Sequence, residues 1–296
     1  MKKFTLTLVI SAFILSAFAQ EESDTIPKKG SYLYYGQPSI EDNSMFIEEA
    51  FNQEAGIIQH ISNFVFSGGN FAYNYTQEIP LKNEKNQFSF GLSYASLKKS
   101  TEHSFQNRNF LTNGVGDIYL NYRPMIWGKN DWALVIPRFT LIVPTGNARY
   151  GLGNGSWGGQ FNLAVTKRLN RKITTHYNAG YTLMAKADHY YYTTAGDPVL
   201  AYEKDLKMKN VGASVIWQMR PKFNLMMEYV ATFGREMMDD GATSKLNTAV
   251  LNPGFRFAVD MGKVQIVPGA GVPLNFVNGD FDATGAFFYL SIEPAY

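Results

Sequence analysis

Apolar and polar side chains alternate along most of the chain. In the clearest stretch, residues 173–186, the odd positions run from Ile173 through Tyr177 and Tyr181 to Ala185, while the even positions are mainly polar. A period of two is that of a pleated strand with one apolar and one polar face. The alternation returns around residues 88–94, 117–123, 210–218, 223–229 and 251–260. The sequence therefore predicts a series of long amphipathic β-strands.

These stretches predict about twelve strands joined as hairpins. Their approximate bounds are 54–67, 70–80, 87–98, 115–127, 131–144, 158–169, 173–187, 209–220, 223–236, 247–260, 263–273 and 284–296. Soluble β-sandwiches also show period-two strands, but strands of about ten residues or more, in hairpins that continue to the last residue, favour a membrane barrel. Short connections such as 170–172 alternate with long ones such as 188–208. The predicted fold is all-β, a closed antiparallel transmembrane β-barrel over residues 54–296, with short periplasmic turns and long extracellular loops.

Both ends of the chain predict export to the outer membrane of a Gram-negative bacterium. Two lysines precede a short apolar stretch, residues 4–18, and an Ala-x-Ala pattern that ends at Ala19. This pattern is typical of a secretory signal peptide, residues 1–19, cleaved after Ala19, and its length disfavours the alternative of a membrane anchor. The last predicted strand ends with the aromatic Tyr296, as the closing strands of outer-membrane barrels do. We therefore expect the barrel-assembly machinery to be a partner through this strand.

Charge and composition narrow the function further. Loss of the signal peptide would lower the count of Lys plus Arg from 27 to that of Asp plus Glu, which is 25. No basic excess points to nucleic acid, and none is expected as a partner. The chain has no cysteine, which excludes disulfides and a lipidated cysteine. Aromatic residues make up 15 % of the chain, which suits a barrel with aromatic belts at the membrane interfaces.

Several motifs between about residues 55 and 185 resemble one outer-membrane family. Residues 114–123 (GVGDIYLNYR) resemble its G-x-G-D strand opening, and residues 143–146 (VPTG) with 151–153 (GLG) resemble its P-T-G and G-x-G hairpin. Residues 178–181 (NAGY) fit its next strand. The family is named after the MetA pathway of phenol degradation. The resemblance implies an outer-membrane barrel related to channels for hydrophobic substrates, such as the long-chain fatty-acid transporter.

The sequence predicts no catalytic residue, metal site or cofactor. Residues 153–158 fit G-x-G-x-x-G, but an alternating strand follows where a dinucleotide site needs a helix. The four histidines lack ligand spacing. No G-x-S-x-G nucleophile signature occurs. A pair between His176 and a serine on a neighbouring strand leaves a lipid-acting barrel enzyme as one alternative.

Two sets of residues are candidates for a functional site. By alternation, nine polar residues are expected to line the lumen: Glu78, Asp117, Arg123, Arg138, Arg168, His176, Glu228, Arg256 and Asp260. Aromatic residues near the outer loops are expected to capture a solute: Tyr190, Tyr191, Tyr192, Phe276 and Phe281. Both signs of charge occur in the lumen set, which fits either a salt-bridge network that fills the barrel or a polar constriction that selects solutes. The acidic segment 20–53 is expected in the periplasm or inside the lumen.

A barrel of about twelve strands lies between small filled barrels and wide porins. The sequence therefore favours a narrow channel for passive uptake of small molecules, of hydrophobic or aromatic character if the resemblance holds. A structural or adhesive barrel with a closed lumen is the main alternative. The expected partners are a small-molecule solute, outer-membrane lipid and lipopolysaccharide.

Overall fold

The computed structural model of the chain describes residues 29, 32–35, 40, 44–101, 108–126, 128, 131–193, 197–238 and 241–294. The predicted signal peptide and Tyr296 lie outside these residues. The strands are β1 (Gln59–Ser67), β2 (Asn70–Leu81), β3 (Asn83–Thr101), β4 (Arg108–Val115), β5 (Ile118–Pro124), β6 (Leu134–Val143), β7 (Gly158–Asn170), β8 (Ile173–Tyr192), β9 (Pro198–Arg220), β10 (Phe223–Met237), β11 (Thr243–Phe257), β12 (Val259–Met261), β13 (Val264–Gly271), β14 (Leu274–Val277) and β15 (Asp280–Pro294). Two 3-10 turns accompany them, η1 (Tyr32–Tyr35) and η2 (Ala148–Tyr150).

All of these strands belong to one sheet that closes on itself. The first strand pairs antiparallel with the last, from His60 opposite Ile292 to Ser67 opposite Gly285. Strands β4 and β5, β11 and β12, and β13 and β14 are each one barrel strand with an interruption, so the barrel has twelve strands. Closure leaves the barrel wall without a free edge, so its strands pair with a neighbour on each side. The predicted closed antiparallel barrel is confirmed.

The two faces of the wall differ as the alternation predicts. On β8 the outward side chains of Tyr177 and Tyr181 are 48% and 40% exposed, whereas the inward Asn178 and Thr182 are buried. Large apolar residues are exposed in the same way on the outside of most strands, among them Phe139, Phe161, Val215, Tyr229, Phe255 and Phe288. An apolar outer surface on a closed barrel is the arrangement that a bilayer requires. The protein is therefore a bacterial outer-membrane barrel.

Among the described residues, no helix has the length and apolar character to cross a bilayer.

One long connection differs from its sequence-based expectation. Most of segment 188–208, expected as an outer loop, is strand, because β8 continues to Tyr192 and β9 begins at Pro198. The register shifts between Met184 and Ala187, where Lys186 has a positive φ of 54°. This β-bulge restarts the ladder, so the hairpin rises beyond the barrel as a two-stranded ribbon.

The barrel interior is filled in part by the chain that precedes β1. Residues 44–53 lie inside the lumen, and Glu48, Glu49, Ala50, Asn52 and Gln53 have no exposed surface. Two apolar clusters hold this segment from opposite sides. Its Met45 and Phe46 pack with residues of β1, β9, β10, β13 and β15, while its Ala50 and Phe51 pack with residues of β6 and β7.

Candidate functional site in the barrel lumen

Eight of the nine residues expected to line the lumen are buried inside the barrel: Glu78, Asp117, Arg123, Arg138, Arg168, His176, Glu228 and Arg256. The exception is Asp260, whose side chain is 44% exposed and forms an ion pair with Lys222. Hydrogen bonds from Lys222 and Gln265 lower the pKa of Asp260. Asp260 keeps the inward phase of Arg256, because one unbroken register pairs Arg256 with Gly269 and Asp260 with Gln265. It differs from the other eight residues because it lies next to the turn after β12, where solvent reaches its side chain.

A carboxylate from the N-terminal segment lies at the centre of the lumen charges. Glu48 Oε1 is 3.5 Å from Arg123 Nε, and Glu48 Oε2 is 3.6 Å from Arg138 Nη1. Asn162 Nδ2 donates to Glu48 Oε2 at 2.5 Å. A buried charge is tolerated when it is paired and hydrogen-bonded. The lumen arginines therefore have a partner that the wall itself does not supply.

The backbone around Glu48 is bound as if it were a strand. The Glu48 N–H donates to Asn178 Oδ1 at 2.8 Å, and Asn178 Nδ2 donates to the Glu48 carbonyl at 2.7 Å. Arg123 Nη2 donates to the carbonyl of Glu49 at 2.5 Å. One amide side chain thus satisfies both backbone groups of a residue that has no strand neighbour.

Further side chains of the wall bind the segment along its length. Glu228 Oε1 accepts from the N–H groups of Phe46 and Ile47 at 2.8 and 3.2 Å. The hydroxyls of Ser44 and Ser214 are 2.6 Å apart. At the other end of the segment, Ala50 N–H donates to Thr166 Oγ1 at 2.8 Å and Gln53 N–H donates to Gln87 Oε1 at 2.5 Å. These contacts come from β3, β7, β9 and β10, so residues 44–53 cross the lumen from one wall to the other. We call residues 44–53 the lumen segment.

His176 is one of the wall residues that surround the lumen segment. Its Nδ1 is 2.7 Å from Thr166 Oγ1, the same hydroxyl that accepts from Ala50, and its ring meets the ring of Phe51 edge-on at 6.2 Å. Ser214 lies opposite His176 on the neighbouring strand, but its hydroxyl contacts Ser44. The geometry therefore gives the histidine a role in holding the lumen segment.

Asp117 is buried at the outer mouth, where it organises a loop. Its Oδ1 accepts from Gly146 N–H at 3.0 Å and its Oδ2 accepts from Asn154 N–H at 3.1 Å. A Cβ on Gly153 would lie 2.4 Å from Asp117 Oδ1, and one on Gly146 would lie 2.3 Å from a backbone oxygen of Leu152. Only glycine allows this approach. The motifs that resemble P-T-G and G-x-G thus fold residues 144–157 over the mouth, and we call residues 144–157 the mouth loop.

The inward wall beneath the mouth loop is apolar. Ile142, Met184 and Ala187 are buried together there, and half-buried Tyr119, Leu206 and Met237 pack against them. We call these six residues the outer vestibule. Ile142 and Met184 are 4% and 1% exposed, so this apolar layer is packed, and an apolar molecule would have to part these side chains to enter it. Once between them, its surface would be removed from water, which is favourable.

The aromatic residues expected to capture a solute form two separate groups on strand ends. Tyr190, Tyr191 and Tyr192 end β8, and Tyr192 donates its hydroxyl to the Arg149 carbonyl of the mouth loop at 2.5 Å. Burial raises the pKa of Tyr192 to about 12, with Tyr150 as a smaller cause, so its phenol stays protonated as a donor. Phe276 and Phe281 pack edge-on at 5.8 Å on β14 and β15. Three barrel strands separate the two groups, so they do not form one site.

Within the described ranges, no group of three or more His, Asp or Glu side chains is arranged to hold a metal ion. Sequence reasoning missed Glu48 of the lumen segment, and it missed Asn162 and Asn178 of the wall, which bind Glu48 together with the arginines. Glu48 and Glu49 were visible as part of an acidic segment. Their charge complements the arginines of the wall, and this complementarity was the available signal.

Comparisons with known proteins agree with the fold. The family described as putative MetA-pathway of phenol degradation matches residues 51–219, which is more than half of the chain. An outer membrane channel from Pseudomonas putida F1 has a similar structure, with a TM-score of 0.59 and 14% identity over 84% of this chain and 98% of that one. The translocator domain of the autotransporter NalP from Neisseria meningitidis has a TM-score of 0.50 and 10% identity over 82% of this chain and 90% of that one. No curated protein matches the chain. At these identities the two structures show a shared barrel fold.

Proposed function

The chain belongs to the family described as putative MetA-pathway of phenol degradation, and on that basis we propose that it is a passive outer-membrane channel for small apolar or aromatic molecules. One structural neighbour is itself described as an outer membrane channel. The lumen segment would close the channel in this conformation. Passage then requires neither a cofactor nor a covalent step.

The observation that carries the proposal is how the lumen is filled. A structural barrel can fill its interior with the side chains of its own wall. Here the middle of the lumen is occupied by residues 44–53, a stretch outside the wall, held by side-chain contacts such as those of Glu48 and Asn178. Each neutral hydrogen bond contributes on the order of 1 kcal/mol, and each hydrogen bond to a charged group about 1.5–3 kcal/mol. A segment held in this way can leave without breaking the barrel ladder, which supports a gated channel over a permanently closed barrel.

The outer vestibule supports the choice of solute. An apolar molecule that enters beneath the mouth loop would meet Ile142, Met184 and Tyr119 before it reaches the polar middle of the lumen. Burying apolar surface there is favourable by roughly 25 cal/mol per Å². The solute would be concentrated at the mouth and then wait for the lumen segment to move.

The remaining parts of the proposal concern processing and partners. Residues 1–19 would be removed after Ala19, and residues 20–53 would remain, of which residues 44–53 form the lumen segment. Outer-membrane lipid and lipopolysaccharide would surround the barrel, and the assembly machinery would recognise the final strand through Tyr296. We infer a channel rather than an enzyme, since both candidate catalytic residues hold the lumen segment. His176 contacts Thr166, whose hydroxyl accepts from Ala50, and Ser214 contacts Ser44.

Solute binding at the outer vestibule tests the proposal. Trp157 ends the mouth loop and is exposed, so its fluorescence reports on this region in a background in which the other three tryptophans are replaced by Phe. We expect toluene or phenol to change that fluorescence in detergent-solubilised protein, and Met184→Gln to weaken the apparent affinity about tenfold by placing an amide in the apolar wall. Leu183→Gln, on the outward face of the same strand, is the matched control and should bind normally. Equal affinities for both variants would contradict the proposed site.

A further inference from the structure

The outer rim of the barrel carries a cluster of cations on its lipid-facing side. Along β9, the outward column passes from Lys207 and Lys209 to Val211, Val215 and Trp217. Lys209 lies between Tyr181 on β8 and Phe233 on β10, both of them exposed. Lys209 lies about eleven residues from Arg220 at the other end of β9. At about 3.3 Å per residue and a tilt of about 40°, this distance rises about 28 Å, slightly more than the apolar band of about 25 Å. The lysines therefore lie at the height of the headgroups of the outer leaflet.

The cluster continues across the next two strands. Arg235 on β10 is directly opposite Lys245 on β11, and both are exposed. The paired register of β9 and β10 ends with Phe233 opposite Lys209. Just beyond it, a Cβ built on Gly234 would lie 3.4 Å from the Lys207 carbonyl oxygen, so Arg235, the next residue, lies near Lys207. Neighbouring strands are about 4.8 Å apart. Lys207, Lys209, Arg235 and Lys245 thus form one compact group, which we call the cationic row.

The chain itself supplies little negative charge to this row. Like charges directly opposite one another on a sheet are destabilising. In the part of the chain that the structure describes, the one recorded ion pair of the row joins Lys207 to Asp205 at 4.0 Å, with both side chains more than half exposed. Such a pair is weak. Arg235 Nη1 donates to Thr243 Oγ1 at 3.1 Å, a neutral partner.

Two lysines at the periplasmic end show a different arrangement. Lys222 is paired with Asp260, and Lys167 lies 5.0 Å from the ring centre of Trp132 and donates to its carbonyl. These lysines have partners within the chain. The cationic row instead presents four positive groups side by side toward the membrane, at a depth where phosphate groups are the available anions.

We propose that the cationic row binds the phosphate groups of lipopolysaccharide in the outer leaflet. Arginine and lysine both bind phosphate, arginine through two parallel N–H bonds and lysine as a point charge. A phosphorylated glycolipid would also place its acyl chains against the apolar column of Val211, Val215 and Trp217. This inference rests on the proposed outer-membrane setting and is independent of what the channel carries.

Lipid binding by neutralised variants tests the inference. The variant K207Q/K209Q/R235Q/K245Q removes the row, and R171Q/K172Q/R220Q/K263Q removes four exposed cations near periplasmic turns as the matched control. Native mass spectrometry of each barrel would be run with bisphosphorylated lipid A, with dephosphorylated lipid A and with inorganic phosphate. We expect at least a tenfold loss of bisphosphorylated lipid A binding for the row variant and no loss for the control.

Three outcomes would overturn the inference. They are equal binding by the two variants, equal binding of dephosphorylated lipid A by the unmodified protein, and binding of inorganic phosphate that displaces the lipid fully. Heat-modifiable gel migration would verify that each variant is folded. Toluene binding measured on the same samples separates this inference from the proposed function, because loss of lipid with intact solute binding supports a distinct lipid site.

Discussion

The inner and outer halves of the lumen are built by the same strands but differ in chemistry. On β6, Arg138 faces Glu48 in the middle of the barrel, and Ile142 faces the outer vestibule. On β8, Asn178 binds the backbone of the lumen segment, and Met184 lies in the vestibule. Both positions on each strand are inward by alternation. The comparison shows that the period of two decides which side chains face the lumen. The type of residue at each height along the barrel then decides whether the lumen holds a polar segment or an apolar solute.

Removing the carboxylate of Glu48 should have the largest effect on the difference between the two halves of the lumen. Glu48→Ala leaves Arg123 and Arg138 in the lumen without their carboxylate, and breaking a buried pair costs about 3–5 kcal/mol. We expect the lumen segment to leave the lumen more often. The single-channel open probability in planar bilayers should then rise about a hundredfold or more. Glu203→Ala, at an exposed outer position, is the control and should behave as the unmodified protein. Conductance unchanged by Glu48→Ala would show that the segment is not the gate.

Loosening the mouth loop should affect the outer half alone. Asp117→Ala removes the acceptor for the N–H groups of Gly146 and Asn154, and hydrogen bonds to charged groups are each worth about 1.5–3 kcal/mol. Trypsin cleavage after the exposed Arg149 should accelerate about tenfold or more. Asp197→Ala, in the neighbouring outer hairpin, serves as the control.

Two measurements on the Asp117→Ala variant, loop cleavage and open probability, distinguish the outer half of the lumen from the inner half. Loop cleavage should increase while the open probability stays at its low starting value, because the contacts of Glu48 are intact. If the loop is cleaved at the normal rate, the carboxylate does not hold it. If the open probability rises as well, the two halves are coupled, and the separation drawn above is wrong.

The smallest effect is expected at the turn after β12, where solvent reaches the side chain of Asp260. Asp260 pairs with Lys222 near a periplasmic turn, so Asp260→Asn should leave conductance and toluene binding unchanged. The pKa of Asp260 is lowered in the folded protein, so the pair stabilises at neutral pH and is lost as the pH falls through that lowered pKa. A change in ion selectivity for this variant would place Asp260 on the path of the ions.

The barrel was predictable because its wall has strict periodicity. Strand β8 illustrates this, since the alternation of residues 176–184 matches the observed faces one residue at a time. The failures have local causes. Asp260 keeps the inward phase but lies next to a turn, where solvent reaches it, and the hairpin of β8 and β9 continues past a bulge at Lys186. Alternation read from the sequence gives the face of a residue, but it gives neither its height along the barrel nor the position of a bulge.

The wall residues that bind the lumen segment could not be predicted from the sequence, for a different reason. Residues 44–53 have no strand or helix period that would assign their partners. Their binding depends on Asn162, Asn178 and Arg123, which come together only when the barrel closes. The alternation correctly places such residues inside, but it does not reveal whether they face water, each other or another part of the chain.

A reversible tether between the lumen segment and the wall tests the central claim most directly. The hydroxyls of Ser44 and Ser214 are 2.6 Å apart, and the chain has no cysteine, so the double variant S44C/S214C would form a single defined disulfide. Ion flux through this variant in planar bilayers should be abolished under oxidising conditions and restored by reduction. Equal flux in the oxidised and reduced states, with the disulfide verified, would contradict closure of the channel by residues 44–53.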